Sequence, residues 1–184
     1  MRMAEALGAR DVKIAPEYGI EGIDLPRHVE AFADVCREAS EHGTAVALEV
    51  MPFSNVATLD VARAIVEGAG APNGGLLLDV WHVVRGGIPY DQVAALPPGT
   101  IVSVELADAA AEPVGSLWDD TVHHRRRPGE GAFDLPGFVA AVRASGYDGP
   151  YGVEVIGAEH RALGLADAAR RAHDATIAQL EPLR

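Results

Sequence analysis

Short apolar runs alternate along the chain with longer amphipathic stretches. The apolar runs fall at residues 12–15, 45–50, 76–80, 101–106 and 151–156. They are too short for helices and apolar on both faces, the pattern of strands buried in a parallel sheet. Between the first two, Leu25, Val29, Phe32, Ala33 and Cys36 recur at helical spacing and Gly43 closes the helix. A second helical pattern covers 58–67 and ends at Gly68, and a shorter one lies near 90–95. Asp134 caps a further helix with Pro136 in its first turn, running to Ala144 and stopping at Gly146. A last helix is expected over 166–180, and residues 4–9 read as the end of a helix leading into the first strand.

Strands joined by helices predict an α/β protein with a parallel sheet covered by helices. Either a barrel or an open doubly wound sheet satisfies this. No glycine-rich phosphate fingerprint opens any of the helices, which disfavours the dinucleotide-binding version. Carboxylates at the carboxyl ends of successive strands favour a TIM-barrel type, whose sites are built there. A full barrel of eight units takes about 250 residues, so 184 residues with five strands predict an incomplete, truncated barrel of about five βα units. Residues 1–184 are expected to form one domain with N-terminal units missing. An unclosed sheet exposes a strand edge, so homo-oligomer formation is an expectation to test.

Composition narrows the partners. With 48% hydrophobic and 23% charged residues the chain is that of a globular protein. No apolar run approaches the roughly 20 residues needed to span a bilayer. The first residues lack a basic-then-apolar signal pattern, which makes a cytoplasmic location the default. A formal net charge of −12 argues against nucleic acid and against an anionic membrane surface. Cys36, the single cysteine, rules out an internal disulfide and is expected in the core.

The chemistry lies at the strand ends. Glu49, Asp79, Glu105 and Glu154 each close an apolar run, and His82 follows Asp79 by three residues. Buried carboxylates need a partner, and four of them at one end of a sheet suggest a divalent cation. Hard oxygen donors suit magnesium, manganese or a similar ion. Taken singly, each acid reads more readily as an ion-pair partner or a loop-solvated group. His123, His124, Arg125, Arg126 and Arg127 form a basic segment that reads as an exposed loop or, through its guanidinium groups, as an anion contact.

In order and spacing these residues resemble the xylose isomerase-like barrels, especially the sugar phosphate isomerase/epimerase group. The resemblance is carried by Ala47-Leu48-Glu49 with Pro52, Asp79-Val80-Trp81-His82 with Arg85-Gly86-Gly87, and Val104-Glu105-Leu106-Ala107-Asp108-Ala109. It continues through Arg127-Pro128-Gly129-Glu130-Gly131, Phe133-Asp134-Leu135, Gly146-Tyr147-Asp148-Gly149-Pro150 and Gly152-Val153-Glu154-Val155. It implies an isomerase or epimerase that moves a proton between adjacent carbons of a small sugar or polyol-type substrate through an enediolate. Glu49, Asp79 and Glu154 would bind the divalent metal, and Glu49 and Glu154 would act as the acid/base pair. Glu105 stands where the family usually carries a histidine or glutamine ligand; it would be a fourth anionic ligand or would turn away. His82 and Arg125, with Arg126 as second candidate, would contact substrate oxygens. Trp81 would wall the pocket or pack beneath it, and Asp108 would brace a neighbouring loop. Two alternatives stay open: a non-catalytic or truncated family member, and an apurinic-site endonuclease-like metal phosphodiesterase.

Overall fold

The computed structural model describes residues 1–19 and 22–181. Five strands form one sheet: β1 (Asp11–Ile14), β2 (Ala45–Glu49), β3 (Gly74–Asp79), β4 (Ile101–Leu106) and β5 (Tyr151–Val153). They lie side by side in chain order, each parallel to the next. Parallel neighbours require a crossover. After α1 (Arg2–Leu7), α2 (Leu25–Glu41) and α3 (Leu59–Ala69) supply the first two. Next, α4 (Val80–Arg85) with α5 (Tyr90–Ala94), and α6 (Leu117–His123) with α7 (Leu135–Ala144), supply the others. Two helices, α8 (Ala158–Arg161) and α9 (Leu165–Leu180), follow β5. The result is a TIM-barrel-type half-barrel of five strands.

Side chains alternate across the sheet. Val46, Leu48, Leu76, Leu78, Val104 and Leu106 enter the core beneath the helices, where they meet Phe32, Cys36, Ile65 and Phe138. Each fully buried Leu or Phe of this set contributes about 2 kcal/mol of transfer free energy. The alternate positions, Lys13, Glu49 and Glu105, belong to the other face. A bulge sets their alignment: pairing passes from Leu76↔Ile101 to Leu77↔Ser103, which leaves Val102 as the extra residue. Asp79 therefore pairs with Glu105; with unbroken register it would face Val104. A one-residue slip exchanges the two faces of a strand, so this bulge is what brings two acids together.

The predicted elements form with shifted ends. Strand β5 stops at Val153, short of 156, and β3 begins at Gly74 and ends in Asp79, which becomes the N-cap of α4. The short helices α4, α6 and α8 were not expected. Helix α3 does not stop at Gly68. Its left-handed cap is Gly70 (φ 58°), and its N–H donates to the carbonyl oxygen of Val66. Gly68 instead marks a close approach of helices, because a Cβ there would lie 2.9 Å from Val29 Cγ2 of α2. Alanine is a better helix former than glycine by about 1 kcal/mol, but overpacking costs about 1–3 kcal/mol. Gly68→Ala should therefore lower the urea midpoint, and the sign should reverse in a Val29→Ala background. Equal effects in both backgrounds would refute the contact.

Candidate active site

Carboxylates from four successive strand ends converge. One oxygen from each of Glu49, Asp79, Glu105 and Glu154 can be chosen so that all lie within 4.8 Å of one another. Glu49 is buried at 3% exposure and Asp79 at 0%, whereas the Glu154 side chain is 29% exposed. Among them stands the ammonium of Lys13, from β1. Its Nζ lies 3.2 Å from Glu49 Oε1, 2.8 Å from Glu105 Oε2 and 3.2 Å from Glu154 Oε1. Burial opposes charge on Lys13, but the carboxylates of Glu49, Glu105 and Glu154 outweigh it and raise its pKa above the ordinary lysine value. Glu105 moves the other way from most ion-paired acids: burial raises its pKa, and the hydrogen bond from Lys13 only partly offsets this.

Arg125 ties down the buried side. Its Nη1 donates to Asp79 Oδ2 at 2.5 Å and lies 3.2 Å from Glu154 Oε2, while Nε donates to Thr121 Oγ1. Its guanidinium packs over the Trp81 ring, 5.1 Å from the centroid. Asp79 Oδ1 accepts from the backbone N–H of Trp81, the usual work of a helix N-cap. Burial opposes ionisation of Asp79, but Arg125, then His82, hold its carboxyl below the usual range. His82 Nε2 faces the same cluster, 3.4 Å from Glu49 Oε1 and 3.4 Å from Arg125 Nη2. After β5, the backbone passes so close to Arg125 that a Cβ on Gly157 would lie 2.1 Å from the Arg125 carbonyl oxygen.

Two further buried acids hold the loops around the site. Asp108 accepts from the backbone N–H groups of Ala109, Gly129, Gly131 and Phe133. Asp120 accepts from Trp81 Nε1, Arg85 Nε and the N–H of Val114. Arg85 in turn donates to the carbonyls of Ala110 and Ala111.

Of the residues singled out in the sequence, Glu49, Asp79, Glu105, Glu154, His82 and Arg125 come together here. Trp81 packs beneath the cluster, behind Arg125, and is 0% exposed. Arg126 does not reach it: the residue is exposed and its Nη1 donates to the Glu130 carbonyl oxygen. Asp108 braces the 129–133 loop, as expected of it. Cys36 is a free thiol in the core, and burial pushes its pKa up. Lys13 was missed. It is the only lysine in the chain and sits between Val12 and Ile14 of an apolar strand. The donor set fits a hard divalent ion: the oxygens come from separate elements, and the buried Glu49 Oε1 has no hydrogen-bond partner among the described residues. Four carboxylates against Lys13 and Arg125 leave two formal negative charges in the cluster.

No helix among the described residues is long and apolar enough to cross a membrane. The family model of the xylose isomerase-like TIM barrel matches residues 1–176. The inosose isomerase of Halalkalibacterium halodurans is 31% identical over 183 residues, which cover 96% of this chain and 64% of that protein. A 3-dehydroshikimate dehydratase of Pseudomonas aeruginosa is 35% identical over 163 residues, covering 87% of this chain and 25% of the longer protein. The chain thus spans less than two thirds of either relative. The solved structure of the IOLI protein with a binding zinc atom superimposes with a TM-score of 0.86 at 23% identity, over 98% of this chain and 66% of that one. The likeness to that structure speaks for the fold, and the match over nearly the whole length for descent: the chain belongs to the xylose isomerase-like TIM barrel family.

Proposed function

We propose that the strand-end cluster is the centre of a metal-dependent isomerase or epimerase for small polyhydroxy ketones, moving a proton between adjacent carbons through an enediolate. The observation that carries this reading is the meeting of four carboxylates from four successive strand ends around one point. Glu49, Asp79 and Glu154, with Glu105 as a fourth donor, would hold a divalent ion, and when bound it supplies Lewis-acid polarisation of substrate oxygens. Glu154 is the more accessible of the two proposed acid/base residues and is suited to take a proton from an entering substrate. Glu49, enclosed beside His82 Nε2 at 3.4 Å, is suited to return it. His82 and Arg125 place positive or polar hydrogens at the buried edge of the cluster, where oxyanion charge would develop. The similarity to an inosose isomerase favours a ring ketone with neighbouring hydroxyls as substrate. A second reading, dehydration of such a ketone, begins with the same proton abstraction and is favoured by the similarity to a 3-dehydroshikimate dehydratase.

Proton NMR in deuterated buffer tests the shared step. With magnesium present, the chain should exchange the carbon-bound proton next to the carbonyl of an inosose. Glu154→Gln should slow that exchange by at least about 100-fold, the usual contribution of a positioned base. An unchanged rate in that variant, or no exchange by the wild type, would overturn the assignment.

A further inference from the structure

We propose that Lys13 is a built-in occupant of the cation seat, holding the carboxylate oxygens a divalent ion would need, so that metal enters only by displacing it. This inference rests on reading the cluster as a metal seat. Its own support is separate. Lys13 Nζ contacts Glu49, Glu105 and Glu154 simultaneously, at 3.2, 2.8 and 3.2 Å. A compact ammonium with three donors suits three converging carboxylates, whereas a planar guanidinium fork suits one carboxylate side-on. All the chain's other permanently cationic side chains are arginines, so the lone ammonium sits where this shape matters. Glu49 Oε1 is a buried carboxylate oxygen without a hydrogen-bond partner among the described residues, and its nearest cation is this Nζ.

The two cations of the cluster differ in their freedom to leave. Arg125 is 1% exposed at the side chain and clamped by Asp79, Thr121 and the Glu154 carbonyl. The Lys13 side chain is 29% exposed and reaches the acids on a flexible stem from the sheet edge. Swinging that stem outward breaks three ion pairs, and it regains rotamer freedom and hydration of the ammonium in return. Without the ammonium, four carboxylates would face Arg125 alone, so the metal-free protein needs a filler. The same filler makes this chain a weaker metal binder than its carboxylate count suggests.

Calorimetric titration of the whole chain with MnCl2 tests this. Lys13→Met should bind manganese at least tenfold more tightly than the wild type, and adding Glu49→Gln to that variant should abolish the gain. A second measurement needs no variant. Lys13 is the only side-chain amine, so acylation by an amine-directed reagent, read at that peptide by mass spectrometry, reports on it alone. Acylation should be slow in chelator and several-fold faster at saturating manganese. Equal manganese affinity in wild type and Lys13→Met, or unchanged acylation while manganese binds, would overturn the inference and leave the metal seat standing. If both proteins melt cooperatively and neither binds manganese, the metal seat itself is refuted and this inference falls with it.

Discussion

Replacing Arg125 with methionine should destabilise the protein by about 3–5 kcal/mol, the cost of breaking a buried ion pair from one side. The loss is large because Asp79 keeps its burial and loses its cation. Both members lie out of solvent, and the Arg125–Asp79 contact is 2.5 Å. The pH dependence has a definite sign. Burial alone would raise the Asp79 pKa, but Arg125 and His82 together depress it. A depressed carboxyl contributes stability that is complete above the unfolded pKa and is lost as pH falls through the folded one. The Arg125→Met deficit should therefore be largest at high pH and shrink as acid protonates Asp79, which in the variant, buried without its main cation, takes up its proton above the ordinary carboxylate range. Asp79→Asn added to Arg125→Met should recover part of the loss. Guanidinium denaturation at neutral and acid pH checks both statements, and a deficit independent of pH would mean the cost is packing over Trp81 instead.

Asp108→Ala should cost about 3–5 kcal/mol by a different route, because a buried donor left unsatisfied costs about 1–3 kcal/mol. Four backbone N–H groups lose their acceptor at once, three of them from the 129–133 loop. The same residue pairs with Arg126 through its backbone, N–H to carbonyl in both directions. Loosening it should free the segment that delivers Arg125, so near-ultraviolet circular dichroism of the buried Trp81 should weaken along with the melting temperature. Asp108→Asn keeps one acceptor oxygen and should cost about half as much. Equal losses for alanine and asparagine would show that charge, and not the hydrogen-bond count, holds the loop.

Much of the architecture is local and so was readable in the residues. Four of the five strands announce themselves by a short apolar run with an acid at its end, and Asp134 with Pro136 marks the start of α7 as an N-cap should. The six-residue α4 starts on the last strand residue, too short for a 3.6-residue period to show. Helix α6 is equally short, although its capping box at Ser116 and Asp119 is a legible start signal. Gly68 and Gly70 look alike in the sequence; only the neighbouring Val29, from another helix, separates a contact from a cap.

Within the site, the acids were legible because each ends its own strand. Lys13 was not, because its meaning depends on partners 92 and 141 residues away that the sheet brings together. Nothing in the periodicity of β1 distinguishes an ammonium pointing into a carboxylate cluster from one pointing to water. The Asp120–Arg85–Trp81 network is hidden for the same reason, its members joined across 35 and 39 residues.

As proposed above, the four strand-end acids form one cation seat shared with Lys13. Anomalous X-ray diffraction from a crystal soaked in MnCl2 and measured at the manganese edge tests it most directly. A single strong anomalous peak is expected, bounded by Glu49, Asp79, Glu105 and Glu154, with the Lys13 side chain withdrawn. A soaked crystal with the cluster free of anomalous density and the Lys13 ammonium still among the carboxylates, or with its manganese bound elsewhere, would contradict it.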